Sequence, residues 1–415
     1  MLGLAGSAHA VEVAGELLEF YGNFYPQYQV TNFGDSANAK QSTMTKGLNT
    51  PAANPAVSIS PRTDVAWSQS YIGFKGKKTL GDFTVGYDLQ GLVWQTNSVN
   101  NYFKILGEGR DTFAFVSHAN FGTLQLGKMD TIYKELGDRV RMLGVSSSNF
   151  VSTSGILSSV GWKSAVKAAP GAISSTNGTA VANTTSFNTR INDQLRYISP
   201  NWGGFEFGVS LRPDPRRSST TDGSLSAIGA RWSNKTYYVG LAQEVHNDYR
   251  TVSGTGTTGG SVGTNIFSAS PRSKDTATRL SLGYTAEPFR LAADFANLKY
   301  TEDATAIGKF SSYRANTWQV SGEYAVNAQV KVGANYAKGS QGSCILLGGG
   351  PCSTDGLGGN QFSLGARYDF NKYVGLFALY GRTISGAAAT YGSGSLASAI
   401  GGKTSTMAVG VHAKF

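Results

Sequence analysis

Apolar and polar residues alternate with a period of two along most of the chain, beginning at Leu18. Between Leu18 and Val30 the even positions carry Leu18, Phe20, Phe24, Tyr28 and Val30, while the odd ones carry Glu19, Tyr21, Asn23, Gln27 and Gln29. Successive side chains of a strand point to opposite faces, so this pattern predicts a strand with one greasy face. The rhythm returns at Phe83–Leu89, Phe205–Leu211, Tyr237–Leu241, Leu280–Tyr284, Phe289–Phe295, Trp318–Tyr324, Val330–Tyr336, Phe362–Phe370 and Met407–Phe415. Each run has about the ten residues that a tilted strand needs to cross a bilayer. The opposite face, rich in Glu and Gln, suits a wet lumen better than a second packed sheet.

The spacers between runs also alternate. Short turns such as Asn120-Phe121-Gly122, Asn201 to Gly204, Asn234-Lys235, Ala286-Glu287-Pro288, Val326-Asn327 and Asn371-Lys372 exchange with long Ser/Thr/Gly-rich stretches. The long ones are Thr31 to Pro61, Met129 to Thr189, Asp248 to Asp275, Gly339 to Gly359 and Thr383 to Gly402. One end is tightly turned and the other loopy, as in outer-membrane barrels and unlike most sandwiches. Counting from Leu17 gives about sixteen strands, an even number, with both termini on the short-turn side. Aromatics near strand ends, Trp67, Tyr71, Trp94, Trp202, Trp232 and Trp318, fit a headgroup girdle if the barrel is right.

Composition narrows the class further. The 415 residues include 53 Gly and only 15% charged side chains, against a usual ~7% Gly and ~25% charged. Disorder is excluded by 11% aromatics, and no stretch reaches the ~18 apolar residues of a spanning helix. A large soluble β-protein or a transmembrane β-barrel remains, and the turn asymmetry favours the barrel. Met1 to Ala10 ends Ala8-His9-Ala10, a small-x-small pattern that reads as the tail of a signal peptide, which leaves residues 11–415 as one barrel domain. A plain N-terminal tail is the alternative. Cys344 and Cys352 then read as one disulfide-closed external loop of an exported protein, not touching the barrel, since two thiols without a nearby His cannot hold zinc.

Several segments resemble the general porins of Gram-negative bacteria. They are Ser70-Tyr71-Ile72-Gly73-Phe74-Lys75-Gly76 with Leu80-Gly81-Asp82-Phe83, then Asn120 to Lys128, then Leu195-Arg196-Tyr197-Ile198-Ser199-Pro200, and the terminal Phe415. The resemblance implies an all-β, sixteen-stranded antiparallel barrel in the outer membrane, assembled as a homotrimer in contact with lipid bilayer and lipopolysaccharide. It implies passive diffusion of small hydrophilic solutes through a water-filled channel. It also implies that the long loop after the fifth strand folds into the lumen and narrows it. The matching segment carries Asp130, Lys134, Glu135, Asp138, Arg139 and Arg141. The enterobacterial Pro-Glu-Phe-Gly-Gly motif is absent from it.

Alternation sends Lys75, Arg190, Arg196, Arg212, Arg231, Arg279, Arg290, Lys331, Arg367, Arg382 and Lys414 inward, against Glu19, Asp88, Glu206, Glu244, Asp294, Glu323 and Asp369. Excess Lys and Arg in a narrow channel favours anions, in line with the formal charge of +10. The other reading places many of these bases at the rims, on lipopolysaccharide phosphates or paired with acids. Arg196, sharing a face with Asn192 and Gln194, is the leading candidate to face the in-folded loop. Two rival classes stand beside the channel. A barrel enzyme needs a His with a positioned nucleophile or carboxylate, whereas His118, His246 and His412 each stand alone in a strand. A structural or adhesive barrel would have a closed lumen and show no conductance. Dispersed bases argue against nucleic acid, and no motif calls for a cofactor or metal.

Overall fold

The computed structural model describes residues 11–12, 15–34, 61–67, 70–93, 109–137, 143, 155–161, 165–166, 187–214, 217, 222–248, 250–251, 272–303, 310–349, 352–389, 391–392 and 401–415. Sixteen antiparallel strands close into a barrel. In chain order they are β1 (Glu19–Phe24 and Gln27–Phe33), β2 (Arg62–Ala66 and Tyr71–Leu80), β3 (Phe83–Leu92), β4 (Gly109–His118), β5 (Gly122–Asp130), β6 (Arg190–Ile198), β7 (Phe205–Arg212) and β8 (Leu225–Ser233). The second half comprises β9 (Tyr237–Asn247), β10 (Ser273–Ala286), β11 (Phe289–Glu302), β12 (Phe310–Ala325), β13 (Val330–Gly339), β14 (Gly359–Asp369), β15 (Val374–Ser385) and β16 (Lys403–Lys414). A short helix, α1 (Ile132–Gly137), follows β5. The last strand pairs with the first, Gly410 opposite Gln27 and Lys414 opposite Asn23, so the sheet has no free edge.

The short turns form as expected, and their asparagines say why. The side-chain Oδ1 of Asn234 accepts the backbone N–H of Thr236 and Tyr237 at 2.8 and 2.7 Å. Asn327 does the same for Gln329 and Val330, and Asn371 for Tyr373 and Val374. Each side chain thus satisfies donors that the hairpin leaves unpaired.

Outward positions are apolar and inward ones polar, the reverse of a soluble fold. Leu241, Leu280, Phe295, Val320, Leu364 and Val409 lie exposed on the outer wall, while Gln27, Gln29, Thr31, Gln319, Ser363 and Thr406 are buried within. Trp202, Phe205, Trp232, Tyr237, Phe289 and Phe370 gather outward near the short turns, where an interfacial belt belongs.

Four expectations change. The strand drawn through Leu18–Val30 is broken at Tyr25-Pro26, because proline has no N–H for the ladder; the Tyr25 N–H goes to Ser70 Oγ at 2.8 Å instead. Tyr71 faces inward opposite Asn23 rather than standing in the girdle. Arg382 faces outward, opposite Phe362 and Ser405. The run Leu376 to Tyr380 is apolar on both faces and hides the strand's phase. Finally, the disulfide Cys344–Cys352 is formed, yet it is not remote from the barrel. A short strand, Ser343–Leu346, pairs with the outer end of β12, with Cys344 opposite Tyr313. Residues 1–10, Trp94 and most of the Ser174 to Thr189 tract lie outside the described residues.

Candidate pore and its lining

The segment after β5 turns into the barrel and packs on the inner wall of β6 to β12. Ile132, Tyr133, Leu136, Leu157, Val160 and Phe187 form one buried cluster with the inward residues Ile198, Ala227, Ala242, Ala277, Ala296, Leu298, Tyr300 and Tyr313. Two wall glycines make seats for α1. A Cβ at Gly208 would lie 2.4 Å from Ile132 Cδ1, and one at Gly229 would lie 2.4 Å from Leu136 Cδ1. Any larger wall residue would push the helix away. Hydrogen bonds fix the register: Ser210 Oγ accepts the Ile132 N–H at 2.9 Å, and Tyr238 donates its hydroxyl to the Leu136 carbonyl. The Tyr133 hydroxyl meets Ser158 Oγ at 2.8 Å, and burial pushes its pKa well up, so it stays protonated.

Further along, Leu143 is held on a second stretch of the inner wall. Its N–H donates to Glu323, its carbonyl accepts from Arg367 Nη1 at 2.6 Å, and its side chain rests over Gly365 against Leu379. The inserted segment therefore contacts the inner wall both at β7–β9, through α1, and at β12–β14, through Leu143.

Arg196 lies against the start of the inserted segment. Its guanidinium donates to Gln125 Oε1 at 2.8 Å, to the Asp130 carbonyl at 2.9 Å and to the Glu135 carboxylate. At 6% exposure it ties α1 to the wall rather than facing water. Arg279 is also sealed. It pairs with Asp294 at 2.8 Å under the Tyr133 ring, both side chains at or below 1% exposure. Arg231 pairs with Glu206 at 2.7 Å, and Arg212 donates to the Gly223 carbonyl at 3.2 Å.

The open side of the lumen is lined by β1 to β6. Lys75 meets Glu19 at 3.1 Å, and Tyr21 donates to Asp88, with Gln90 donating to the Tyr21 oxygen at 3.0 Å. Arg110 stacks over the Tyr71 ring at 4.4 Å. Arg190 bridges Asp111 at 2.7 Å and Asp130 at 3.1 Å, and Lys134 closes on Asp130 at 2.8 Å. Opposite charges thus step across β1 to β6 onto α1. Asp138, Arg139 and Arg141 lie outside the described residues.

On the remaining wall, Arg290 pairs with Glu323 at 3.1 Å and Arg367 with Asp369 at 2.6 Å. Lys331 stands directly opposite Arg367 across β13 and β14, and Lys414 lies two strands further round at the same short-turn end. The sequence tally overstated the inward positive charge. Besides Arg382 facing out, Asp64, Asp275 and Glu302 face in, across from Gln29, His246 and Ser273, and Asp111 faces in against Arg190. Their strands are polar on both faces at the loop end, which removes the alternation that assigns a face.

A family model described as Gram-negative porin matches residues 1–388. The chain belongs to that family. It is an outer-membrane channel for passive diffusion of solutes. Solved porins share the architecture. An anion-selective porin from Comamonas acidovorans superposes with TM-score 0.65 at 16% identity, covering 96% of this chain and 99% of that one. The trimer form of OmpT from Vibrio cholerae gives TM-score 0.59 at 13% identity over 96% and 99% of the two chains. OmpF of Salmonella typhi, in complex with daunomycin, gives 0.55 at 15% over 96% and 97%. No curated protein sequence matches.

Proposed function

We propose that this porin passes small hydrophilic solutes through the open side of its lumen and favours anions. The ladder of opposite charges across β1 to β6 supports the first part. Acids and bases facing each other over a narrow aqueous gap hold a transverse field that orders water, and an apolar solute would disrupt that order. The preference for anions rests on one observation: Lys331 and Lys414 face the lumen and make no ion pair among the described residues. Position rather than total charge sets selectivity, because paired bases present little net field to a passing ion. Likeness to the anion-selective porin is consistent with this reading.

Reversal potential in a planar bilayer under a KCl gradient tests it. The native protein is expected to prefer chloride, and Lys331→Glu with Lys414→Glu is expected to move the potential toward potassium. Cation preference in the native protein would end the proposal.

The channel reading also counts against catalysis. The inward pairs His246–Glu244 and His412–Asp369 are His–carboxylate contacts, but both histidines are at or below 1% exposure. A substrate cannot reach them, and loss of both imidazoles is expected to leave chloride conductance in place. The assembly is a homotrimer in this proposal, with lipopolysaccharide on its outer surface. The outward bases Lys274, Lys299 and Arg314 follow one another over β10 to β12 at the loop end, above exposed Leu280, Phe295 and Trp318, and Lys338 of β13 stands beside Trp318. Apolar wall below and cations above suit acyl chains and lipid phosphates respectively. Native mass measurement of the solubilised complex reads both, and a single chain without bound lipid would contradict both.

A further inference from the structure

Among the described residues, the short-turn mouth of the lumen concentrates bases in a way the rest of the channel does not. Lys331 and Arg367 are direct cross-strand partners on β13 and β14, both facing inward. Like charges opposite each other are destabilising, so the pair needs a counter-charge. Asp369 is the acid within reach, and it is already engaged. It accepts Arg367 Nε at 2.6 Å and Nη2 at 3.0 Å, and it meets His412 Nε2 at 2.8 Å.

That last contact crosses β15, which lies between the two residues. It is possible because Gly375 separates them: a Cβ there would sit 2.2 Å from His412 Nε2 and 2.9 Å from Asp369 Oδ1. The glycine lets one carboxylate serve two strands, and the carboxylate's single negative charge is already matched by Arg367. Lys414, the next inward residue of β16, interacts electrostatically with Arg367, Lys331 and Asp369. Glu323, one inward position further along β12, is taken by Arg290 at 3.1 Å and by the Leu143 N–H. Among the described residues, Lys331, Arg367, Lys414 and Arg290 therefore share Asp369 and Glu323 here, and the two bases without an ion pair, Lys331 and Lys414, flank Arg367.

We propose that Lys331, Arg367 and Lys414 form a binding site for small divalent anions at the short-turn mouth of the channel. The inference rests on the lumen being an aqueous channel. Lys331 and Lys414 stand three strands apart, about 15 Å across the sheet at about 5 Å per strand. Lys414 lies further along β16 than Gly410, which continues the row Lys331–Arg367–Phe377. The long lysine side chains nevertheless come within electrostatic reach of each other and of Arg367. A monovalent ion compensates one lysine and leaves the other bare. Inorganic phosphate or a short dicarboxylate neutralises both at once. Such solutes would be held briefly at the mouth and drawn into the channel at low concentration.

The test is block of chloride current through the purified protein in a planar bilayer, with acetate, inorganic phosphate and succinate added separately at pH 8. Phosphate or succinate at about 10 mM is expected to lower the chloride current at least twofold, while acetate does not. Phosphate alone acting would mark a compact oxyanion site, and succinate alone a dicarboxylate site. Lys331→Gln with Lys414→Gln is expected to abolish the block relative to that variant's own current, and Lys331→Arg with Lys414→Arg to retain it. Equal effects of acetate and the divalent anions, or undiminished block in the glutamine variant, would overturn the site. Chloride current and reversal potential in KCl alone report the channel and its overall preference separately, so failure here is distinguishable from failure of those readings.

Discussion

Arg279 and Lys75 are both inward bases paired with a carboxylate on a neighbouring strand, yet one is sealed and the other is wet. Arg279 and Asp294 lie under α1 at or below 1% side-chain exposure, whereas Lys75 and Glu19 keep 21% and 22%. The difference comes from what covers the wall. Along β7 to β11 the inward positions include Gly208, Ala227, Gly229, Ala242, Ala277 and Ala296, which are small enough for α1 and its neighbours to pack down. On β1 to β3 the inward residues include Glu19, Tyr21, Asn23, Lys75, Asp88 and Gln90, whose polar ends hold water and one another. A pair of charges is a structural element in the first region and a solute-facing one in the second.

The sharpest way to break this comparison is Asp294→Asn. It leaves a buried guanidinium without its charge partner, and loss of one member of a buried pair costs about 3 to 5 kcal/mol. A lowered urea midpoint of the detergent-folded protein measures it, and an unchanged midpoint would show that water reaches Arg279. Leu136→Ala comes next. It empties the seat over Gly229, with an expected cost of about 2 to 4 kcal/mol and a rise in single-channel conductance as α1 loosens from the wall. Destabilisation without a conductance change would place α1 away from the narrowest section. Glu19→Gln is the smallest perturbation. A partly hydrated pair contributes about 0 to 1 kcal/mol, so the urea midpoint is expected to hold while the reversal potential moves toward chloride preference.

Much of the barrel was legible in the chain. Period-two alternation located the strands, because one face meets hydrocarbon and the other water, and Asn-containing turns marked the short-turn end. The lining was less legible, for a reason visible in β11. From Phe289 to Phe295 its apolar residues point outward, but Leu298 and Tyr300 point inward while Asn297 and Lys299 point out. The phase inverts because the inner wall there meets the inserted segment instead of water, and the outer wall has passed the hydrocarbon. The same inversion in β10 and β12, with Ala277 and Tyr313 inward and Lys274 and Arg314 outward, was the available signal for where α1 docks. Alternation put Arg196 on the inward face, but its burial depends on Glu135 and the Asp130 carbonyl, which no spacing reveals.

Sequence by itself determined that this chain closes a sheet around a polar interior within an apolar shell, since each strand's two solvents are written into adjacent residues. Only the tertiary structure decided which inward charges meet solute. That depends on contacts between residues far apart in the chain, such as Leu143 with Glu323 and Arg367, or Asp369 with His412 across Gly375. A local pattern records which face a side chain takes, and the water left beside it is set by whatever else the closed barrel brings to that face.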